Sequence, residues 1–178
     1  GKVYGENGVY IHNNLIGDQV FAGGEAAEYK SMLPLFTSLQ HDLHGIEKAF
    51  NQVIKNKSFS TRDLELKGHG TLIKLIIEMR FPNIPKILKV LYKRMPEDKG
   101  NQGIWPVIEL LHTRLTGLGP VNIKSIDEIV KYKEFMGKII EYVEEDMDEP
   151  ANVYASYCQN AIIKATGSVT IGSAGVYH

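Results

Sequence analysis

The sequence has little cysteine and no long apolar run. Its 178 residues include one cysteine, Cys158, which excludes an internal disulfide framework and favours a reducing compartment. No stretch reaches the ~18 uncharged apolar residues that a membrane-spanning helix needs. No charged and then apolar leader opens the chain. We therefore expect a cytoplasmic protein without membrane insertion.

An excess of charge of one sign is also missing. Lys and Arg number 20 and Asp and Glu number 21, so the formal net charge is −1. This balance produces no long-range field that would collect nucleic acid or anionic lipid, and we expect no nucleic-acid partner. The composition is 43% hydrophobic and 23% charged, which is typical of a folded globular chain.

The two ends of the chain have a strand-like pattern. Residues 1–27 and 151–178 are rich in Gly, Asn, Val, Ile and Tyr. Their apolar residues stand two apart, as Val9 and Ile11 do, which is the period of a strand with one buried face. Glycine or asparagine ends each run and allows the chain to turn sharply. We therefore predict short strands joined by tight turns at both ends.

The two ends also resemble each other. The phrase "GVYIH" at residues 8–12 is similar to "GVYH" at residues 175–178, and "VFAGG" at residues 20–24 is similar to "VYAS" at residues 153–156. Self-similar short strands are typical of a β-solenoid, in which each coil covers the apolar face of its neighbour. The alternative is a pair of unrelated hairpins.

The middle of the chain, residues 28–148, has helical spacing. Its first apolar seam steps alternately by three and four residues, which is the a/d pattern of a helix that packs on another helix. Pro34 lies inside this seam, so the helix starts after Ser31 or is kinked there. The seam consists of Tyr29, Met32, Phe36, Leu39, Leu43, Ile46, Phe50 and Val53.

A second seam of the same rhythm closes the middle of the chain. Ser125 followed by Glu128 predicts a capping box at its start, and Asp148-Glu149-Pro150 predicts its end. Because the two seams bracket the insert, we expect them to be antiparallel neighbours. The second seam consists of Ile126, Ile129, Lys133, Met136, Ile140, Val143 and Met147.

Shorter amphipathic helices are predicted between the seams. One runs from about Thr61 through Met79, and two more are carried by "PNIPKILKVLYKRMP" and "IWPVIELLHTRL". Glycine and proline mark the joints at residues 68–70, 96–103 and 117–120. The stripe predicted for the first of these helices consists of Leu72, Leu75, Ile76 and Met79.

Few residues carry a recognisable chemistry. His41 and His44 stand three apart on the first seam helix, with Asp42 between them, but zinc needs three or four converging ligands. No second ligand pair is present, so a solvated polar face is favoured. The glycines of "GHG" at residues 68–70 match neither a P-loop nor a dinucleotide-binding motif, and a joint between helices explains them.

The remaining reactive side chains have structural interpretations. Cys158 lacks the surroundings of a nucleophile and is best explained as a small packing residue, and His112 has no visible partner. The acidic run at residues 141–149 is best explained as a solvated helix face. Lys86, Lys89, Lys93 and Arg94 form a small positive patch on one helix. We therefore assign no catalytic, cofactor-binding or metal-ligating residue and expect no cofactor.

The strand-rich ends carry a family resemblance. Residues 1–33 and 151–178 resemble the central domain of the flagellar assembly protein A family, a bacterial domain long listed as of unknown function. The resemblance implies a right-handed parallel β-helix with an associated coiled-coil segment, a part in flagellar or cell-envelope assembly, and no catalytic residues. The positions that match the family's recurring phrase are Val153, Tyr154, Ala155, Asn160, Ala161, Ile163, Ala165, Gly167, Val169 and Ile171.

Pattern and resemblance together predict an α+β fold. In this fold, both chain ends form a short right-handed parallel β-helix, and an antiparallel coiled-coil and helical domain is inserted. The predicted boundaries are 1–27 for the first β-helix part, 28–148 for the helical insert and 149–178 for the second β-helix part. The solenoid pattern starts and stops abruptly, so either the chain is a fragment of a longer protein or its ends pair with another copy.

The predicted function is that of a non-enzymatic scaffold. A β-helix base would present a helical hairpin to a protein partner, and stacking of the open ends would add self-association. One alternative is a left-handed hexapeptide-type acyltransferase, because "LIGDQVFAGG" at residues 15–24 resembles one hexad. Another is a carbohydrate-active β-helix enzyme, although the acids of the two ends are Glu6, Asp18 and Glu25 alone.

Overall fold

In a computed structural model, the described residues are 2–5, 8–17, 19–22, 24–56, 62–95, 103–146, 152–165 and 167–172. The chain divides into two units of structure. The first unit consists of Gly1–Leu33 together with Glu141–His178, and the second consists of Pro34–Ile140. The predicted helix end at Asp148–Pro150 and the repeat at residues 175–178 lie outside the described residues.

The first unit contains two parallel sheets of three strands each. Their strand orders are β1-β3-β5 and β2-β4-β6, so each sheet combines strands from both ends of the chain. The strands are β1 (Lys2–Gly5), β2 (Gly8–Ile16), β3 (Gln19–Ala22), β4 (Asn152–Gln159), β5 (Ile162–Ala165) and β6 (Val169–Ile171).

The register of these strands aligns β-branched residues. Val9 of β2 pairs with Val153 of β4, and Val153 pairs in turn with Val169 of β6. In the other sheet, Val20 of β3 pairs with Ile163 of β5. Val9, Val20 and Val153 are buried together, because branched side chains pack well on a pleated surface. The hydrophobic side chains packed around them are Ile11, Cys158, Ala161, Ile163 and Ala165.

Helix α1 (Gly24–Ser31) completes the first unit and contacts β3 and β5. Ala27 and Tyr29 of this helix are buried. The Ser31 hydroxyl donates to the carbonyl of Glu28 at 2.6 Å and accepts from Lys164 Nζ at 2.9 Å. A side chain of β5 is therefore tied to the last turn of α1.

The second unit is built from helices. After α6, a short 3-10 helix at Gly119–Asn122 packs on the start of α4. The π-helical turn at Tyr142–Asp146, which follows α7, belongs to the first unit. None of the described helices combines the length and the apolar character needed to cross a membrane. The helices are α2 (Leu33–Lys55), α3 (Arg62–Lys67), α4 (Gly70–Arg80), α5 (Asn83–Arg94), α6 (Ile104–Leu115) and α7 (Asp127–Glu141).

The seam of α2 agrees with the sequence pattern. Phe36, Leu39, Leu43 and Ile46 are fully buried, as the alternation of three and four residues predicts. A turn at Met32 separates α1 from α2, and Pro34 is the second residue of α2, where its missing N–H costs little. Of the two predicted alternatives, the start of a helix after Ser31 is the one observed.

The seam of α7 differs from the prediction at two positions. Tyr132 and Ile139 are buried, whereas the predicted Lys133 and Ile140 are each one residue further along and half-buried. Both registers step by three and four residues, but only the observed one keeps the lysine side chain out of the buried seam. The physical reason is Lys133, whose ammonium reaches Glu47 on α2 at 2.6 Å instead of entering the seam.

The joint between α3 and α4 is formed by Gly68–Gly70. Gly68 has φ of +77°, a conformation that glycine adopts without strain. His69 Nδ1 accepts a hydrogen bond from the Ile126 N–H at 2.8 Å, so this ring fixes the loop before α7. A Cβ at Gly70 would overlap the carbonyl oxygen of Val121. The two glycines and the histidine therefore have packing roles, as the joint interpretation predicts.

The predicted fold class is wrong. We expected an α+β chain with a short right-handed parallel β-helix as its base, but a β-helix base is not seen and the described chain is mostly helical. Seven α-helices of 6 to 23 residues occur in the described ranges, and the strands there have 3 to 9 residues. The small and β-branched residues of the chain ends specify short strands, whereas longer amphipathic segments specify most of the structure.

Candidate functional site

An apolar groove lies between α3 and α4. Its volume is about 430 Å³, and leucine side chains from both helices form its floor and walls. Two lysines and a glutamate stand among them. We call this surface the α3–α4 groove, and its lining residues are Leu64, Lys67, Gly68, Thr71, Leu72, Lys74, Leu75 and Glu78.

The groove exists because α4 has apolar side chains on two faces. Ile73, Ile76 and Ile77 are buried and form the core face of the helix. Leu75 and Met79, which the sequence pattern assigned to the same stripe as Ile76, are 50% and 75% exposed. That predicted stripe is therefore wrong. The segment "TLIKLIIEM" is apolar at six of nine positions, so its periodicity leaves the core face undecided.

The rim of the groove carries both signs of charge. Lys74 Nζ lies 2.9 Å from Glu78 Oε1, an i, i+4 ion pair along α4. Lys67, at the end of α3, is exposed, and no ion pair within the described ranges involves it. One cation beside an apolar surface is therefore available to an acidic group from outside.

A polar cleft of about 520 Å³ lies between α2 and α7. Lys133 Nζ lies 2.6 Å from Glu47 Oε2, and His44 Nδ1 lies 3.6 Å from the same oxygen. The hydrogen bond from Lys133 is the main reason why the pKa of Glu47 is lowered. Burial raises the pKa of Asp42, an effect that nearby His41 opposes. The cleft is lined by Thr37, Gln40, His41, His44, Lys133 and Glu134.

The structure brings His41 and His44 to this cleft without a further ligand. Among the described residues, no group of three or more His, Cys, Asp or Glu side chains is placed to hold a metal ion. The ion pair between Glu47 and Lys133 instead joins α2 to α7. The chemistry of the cleft is therefore that of a helix-to-helix contact.

A second polar cluster joins α6 to α7. Glu128 Oε2 accepts hydrogen bonds from Arg114 Nη2 at 2.7 Å and from the Tyr132 hydroxyl at 3.0 Å. Its Oε1 accepts from the Lys124 N–H at 3.3 Å, and Ser125 Oγ accepts from the Asp127 N–H at 3.2 Å. Both hydrogen bonds are therefore displaced by one residue from those of the predicted capping box, which would join Ser125 Oγ to the Glu128 N–H and Glu128 to the Ser125 N–H.

This cluster fixes the ionised state of Glu128. Burial raises the pKa of Glu128, but the hydrogen bonds from Arg114, Lys124 and Tyr132 outweigh it, and the pKa is lowered overall. Arg114 Nε also donates to the Tyr132 hydroxyl at 3.4 Å, and its hydrogen bonds to Tyr132 and Glu128 raise the pKa of Arg114. The two oxygens of this carboxylate already accept hydrogen bonds from three donors. Glu128 therefore holds α6 and α7 in position and is not free to act as a reactive group.

The remaining residues singled out in the sequence lie apart from the groove. His112 stacks on Tyr92 with ring centroids 4.5 Å apart, and Trp105 lies 4.8 Å from the same tyrosine ring. His112 therefore has a partner that the sequence did not reveal. Cys158 is half-buried in β4 and packs against the valine cluster, in agreement with a packing residue.

Two charged surfaces remain exposed. On α5, Lys86, Lys89 and Lys93 are exposed together with Val90, and we call these four residues the basic face of α5. At the end of α7 and in the π-helical turn, Glu141, Glu144 and Glu145 are exposed, and we call these three residues the acidic turn. Asp148 and Glu149 of the predicted acidic run lie outside the described residues.

Comparison with known proteins provides no relative for this chain. No protein-family model matches it, and neither a curated protein nor a solved structure matches it.

Proposed function

We propose that this protein is a non-enzymatic scaffold or assembly module that binds the amphipathic helix of a protein partner in the α3–α4 groove. The observation that supports this proposal is the grouping of Leu75, which is 50% exposed, with Leu64 and Leu72 in one groove. Other exposed apolar side chains of the same unit, such as Leu118, do not line this groove. Apolar side chains grouped at a groove are a common feature of protein-binding surfaces.

The spacing of the apolar side chains favours a helix as the occupant. Leu72, Leu75 and Met79 stand at i, i+3 and i+7, so they form a row along α4. The row from Leu72 to Met79 spans about 10 Å along α4, which suits two turns of a second helix. Helix-in-groove binding uses apolar anchors at this spacing on the partner as well.

The charge at the rim favours an acidic flank on the partner helix. Lys67 has no ion pair within the described ranges and lies beside Leu64 and Leu72. A partner carboxylate would gain a charge-assisted contact there while the apolar anchors enter the groove. We therefore propose a partner helix with an apolar stripe bordered by Asp or Glu.

The cellular setting of this proposal rests on the sequence. The resemblance of the chain ends to the flagellar assembly protein A family supports a role in flagellar or cell-envelope assembly in a bacterium. The low cysteine content, with Cys158 alone, supports a cytoplasmic location. No catalytic step is part of this proposal.

A photo-crosslinking residue at position 75 of the full chain tests the groove in cells. The captured protein would be identified, purified and titrated against the parent chain and a Leu75→Glu variant. We expect this variant to bind at least about ten-fold more weakly, because a charge would replace an apolar anchor of the groove. Leu118→Glu is the matched control, since Leu118 is 75% exposed and does not line the groove.

The control variant should bind as tightly as the parent chain. Equal affinity of the parent and the groove variant would contradict the proposal. Loss of binding in Leu118→Glu but not in the groove variant would also contradict it. Far-ultraviolet circular dichroism of each variant establishes that the helices are retained.

A further inference from the structure

The basic face of α5 is an unusual concentration of one charge. The helix contains four cationic residues and no acidic residue. Ile84, Leu88 and Leu91 are fully buried, so the opposite side of the helix points to solvent. Lys86, Lys89, Val90 and Lys93 stand there at i, i+3, i+4 and i+7, which places them in one row.

This row has no internal charge compensation. Within the described ranges, no ion pair involves Lys86, Lys89 or Lys93. Like charges at i, i+3 and i, i+4 destabilise a helix, so the row works against the stability of α5. Val90, which is 42% exposed, adds an apolar contact point between the lysines. Such a face is suited to an acidic partner.

The same chain carries the complementary surface. Glu141, Glu144 and Glu145 of the acidic turn are exposed, and no ion pair in the described part of the chain involves them. They lie within five consecutive residues, so three negative charges are grouped within about one helical turn.

We propose that the acidic turn of one copy of this chain docks on the basic face of α5 of a second copy. Three carboxylates would meet three ammonium groups, and the like-charge repulsion within each row would be relieved on contact. The two surfaces differ, so the contact is heterologous, and the pair keeps one free basic face and one free acidic turn. Such contacts generate rings where the rotation closes and open chains where it does not.

Sedimentation velocity on the full chain over a concentration series tests this contact. We expect association at about 50 mM salt that weakens strongly at about 500 mM, because exposed charges are screened within about 10 Å already at 0.1 M. Two charge reversals separate the surfaces. One is Lys86→Glu/Lys89→Glu/Lys93→Glu, and the other is Glu141→Lys/Glu144→Lys/Glu145→Lys.

Each reversed variant alone should sediment as a monomer, because its two surfaces then carry the same charge. An equimolar mixture of the two variants should associate again, since the lysines of one face the glutamates of the other. Lys48→Glu/Lys55→Glu/Lys131→Glu is the control for the lysine reversal, with the same change in net charge at exposed positions outside both surfaces. It should associate like the parent chain. If a charge-reversed variant does not fold, a triple substitution of the same residues by glutamine replaces it.

Several results would overturn the proposal. These are a monomeric parent at low salt, association that survives either reversal, and a mixture that stays monomeric. Association of the parent that requires added nucleic acid would also overturn it, because the lysines would then be a phosphate-binding surface. The proposed helix binding in the α3–α4 groove does not depend on these outcomes, since neither surface contributes to that groove.

Discussion

Glu47 is an example of how one side chain links two helices and responds to pH. Its carboxylate accepts a hydrogen bond from the ammonium of Lys133 at 2.6 Å and lies 3.6 Å from His44 Nδ1. Both Glu47 and Lys133 are about one-quarter exposed. Partial burial shields the pair from solvent, so its contribution exceeds that of a fully exposed ion pair. The bond also prevents Lys133 from occupying the seam between α2 and α7.

Glu47→Gln should lower the free energy of unfolding by about 1 kcal/mol near pH 7. The pKa of Glu47 is lower in the folded chain than its ordinary value of 4.5. The stabilisation is therefore complete above pH 4.5 and is lost as the pH falls through the lowered value. Urea unfolding of the parent and variant at a series of pH values measures the difference.

The difference between parent and Glu47→Gln should shrink towards zero in acid, since protonated Glu47 resembles glutamine. Glu109→Gln is the control, because Glu109 is exposed on α6 and has no ion pair in the described ranges. Its unfolding free energy should stay within about 0.5 kcal/mol of the parent value at every pH. A difference for Glu47→Gln that is the same at all pH values would refute this explanation.

Helices α2 and α7 show how far a heptad pattern predicts an element. In α2, the positions spaced by three and four offer one apolar solution, and Leu39, Leu43 and Ile46 are buried accordingly. In α7, two registers one residue apart satisfy the same spacing. The sequence does not choose between them, because the choice depends on Glu47, a residue 86 positions away from Lys133.

Helix α4 shows a second limit of periodicity. Apolar residues occupy so many of its positions that both Ile73 with Ile76 and Leu72 with Leu75 look like a core stripe. Burial selects the first pair, and the second is left at the groove. The candidate site was therefore missed in the sequence, although an apolar helix with two such stripes is itself a signal of an additional binding surface.

The register of α7 predicts different costs at adjacent positions. Ile139→Asp should destabilise the chain by about 3 kcal/mol or more, because it places a charge without a partner in a packed seam. Ile140→Asp should cost about 1 kcal/mol, because Ile140 is only half-buried and the carboxylate can reach water. Leu43→Asp, fully buried in α2, is the reference for a seam position. Thermal melts of the three variants measure these costs.

Equal costs for Ile139→Asp and Ile140→Asp would mean that the buried register of α7 is wrong. A larger cost at Ile140 would restore the register predicted from the sequence. The comparison is internal, since both substitutions introduce the same side chain into the same turn of the same helix. Differences in helix propensity between the two positions are therefore small.

At the scale of the whole molecule, the two ends of the chain are brought together in the first unit. Val9 and Val153 are neighbours in adjacent parallel strands and belong to one buried cluster with Val20. The sequence indicated short strands at both ends from their period of two and their glycines. It overestimated the β part of the molecule, because short apolar alternations are conspicuous while their total extent remains small.

The pairing of the two ends predicts an energetic coupling across the chain. Val9→Ala and Val153→Ala should each destabilise the chain, and the double variant should lose less than the sum by about 0.5 kcal/mol or more. The reason is that the cavity left by one truncation already removes part of the packing of the other. Urea unfolding of the parent, both single variants and the double variant provides the cycle.

The control cycle combines Val9→Ala with Ile171→Ala. Ile171 lies in β6, which is separated from β2 by β4, and its side chain is 51% exposed. The two side chains therefore share no cavity, and their effects should add within about 0.3 kcal/mol. If the destabilising effects of Val9→Ala and Val153→Ala were equally additive, the beginning and end of the chain would not share a core. The parallel register that joins β2 to β4 would then be incorrect.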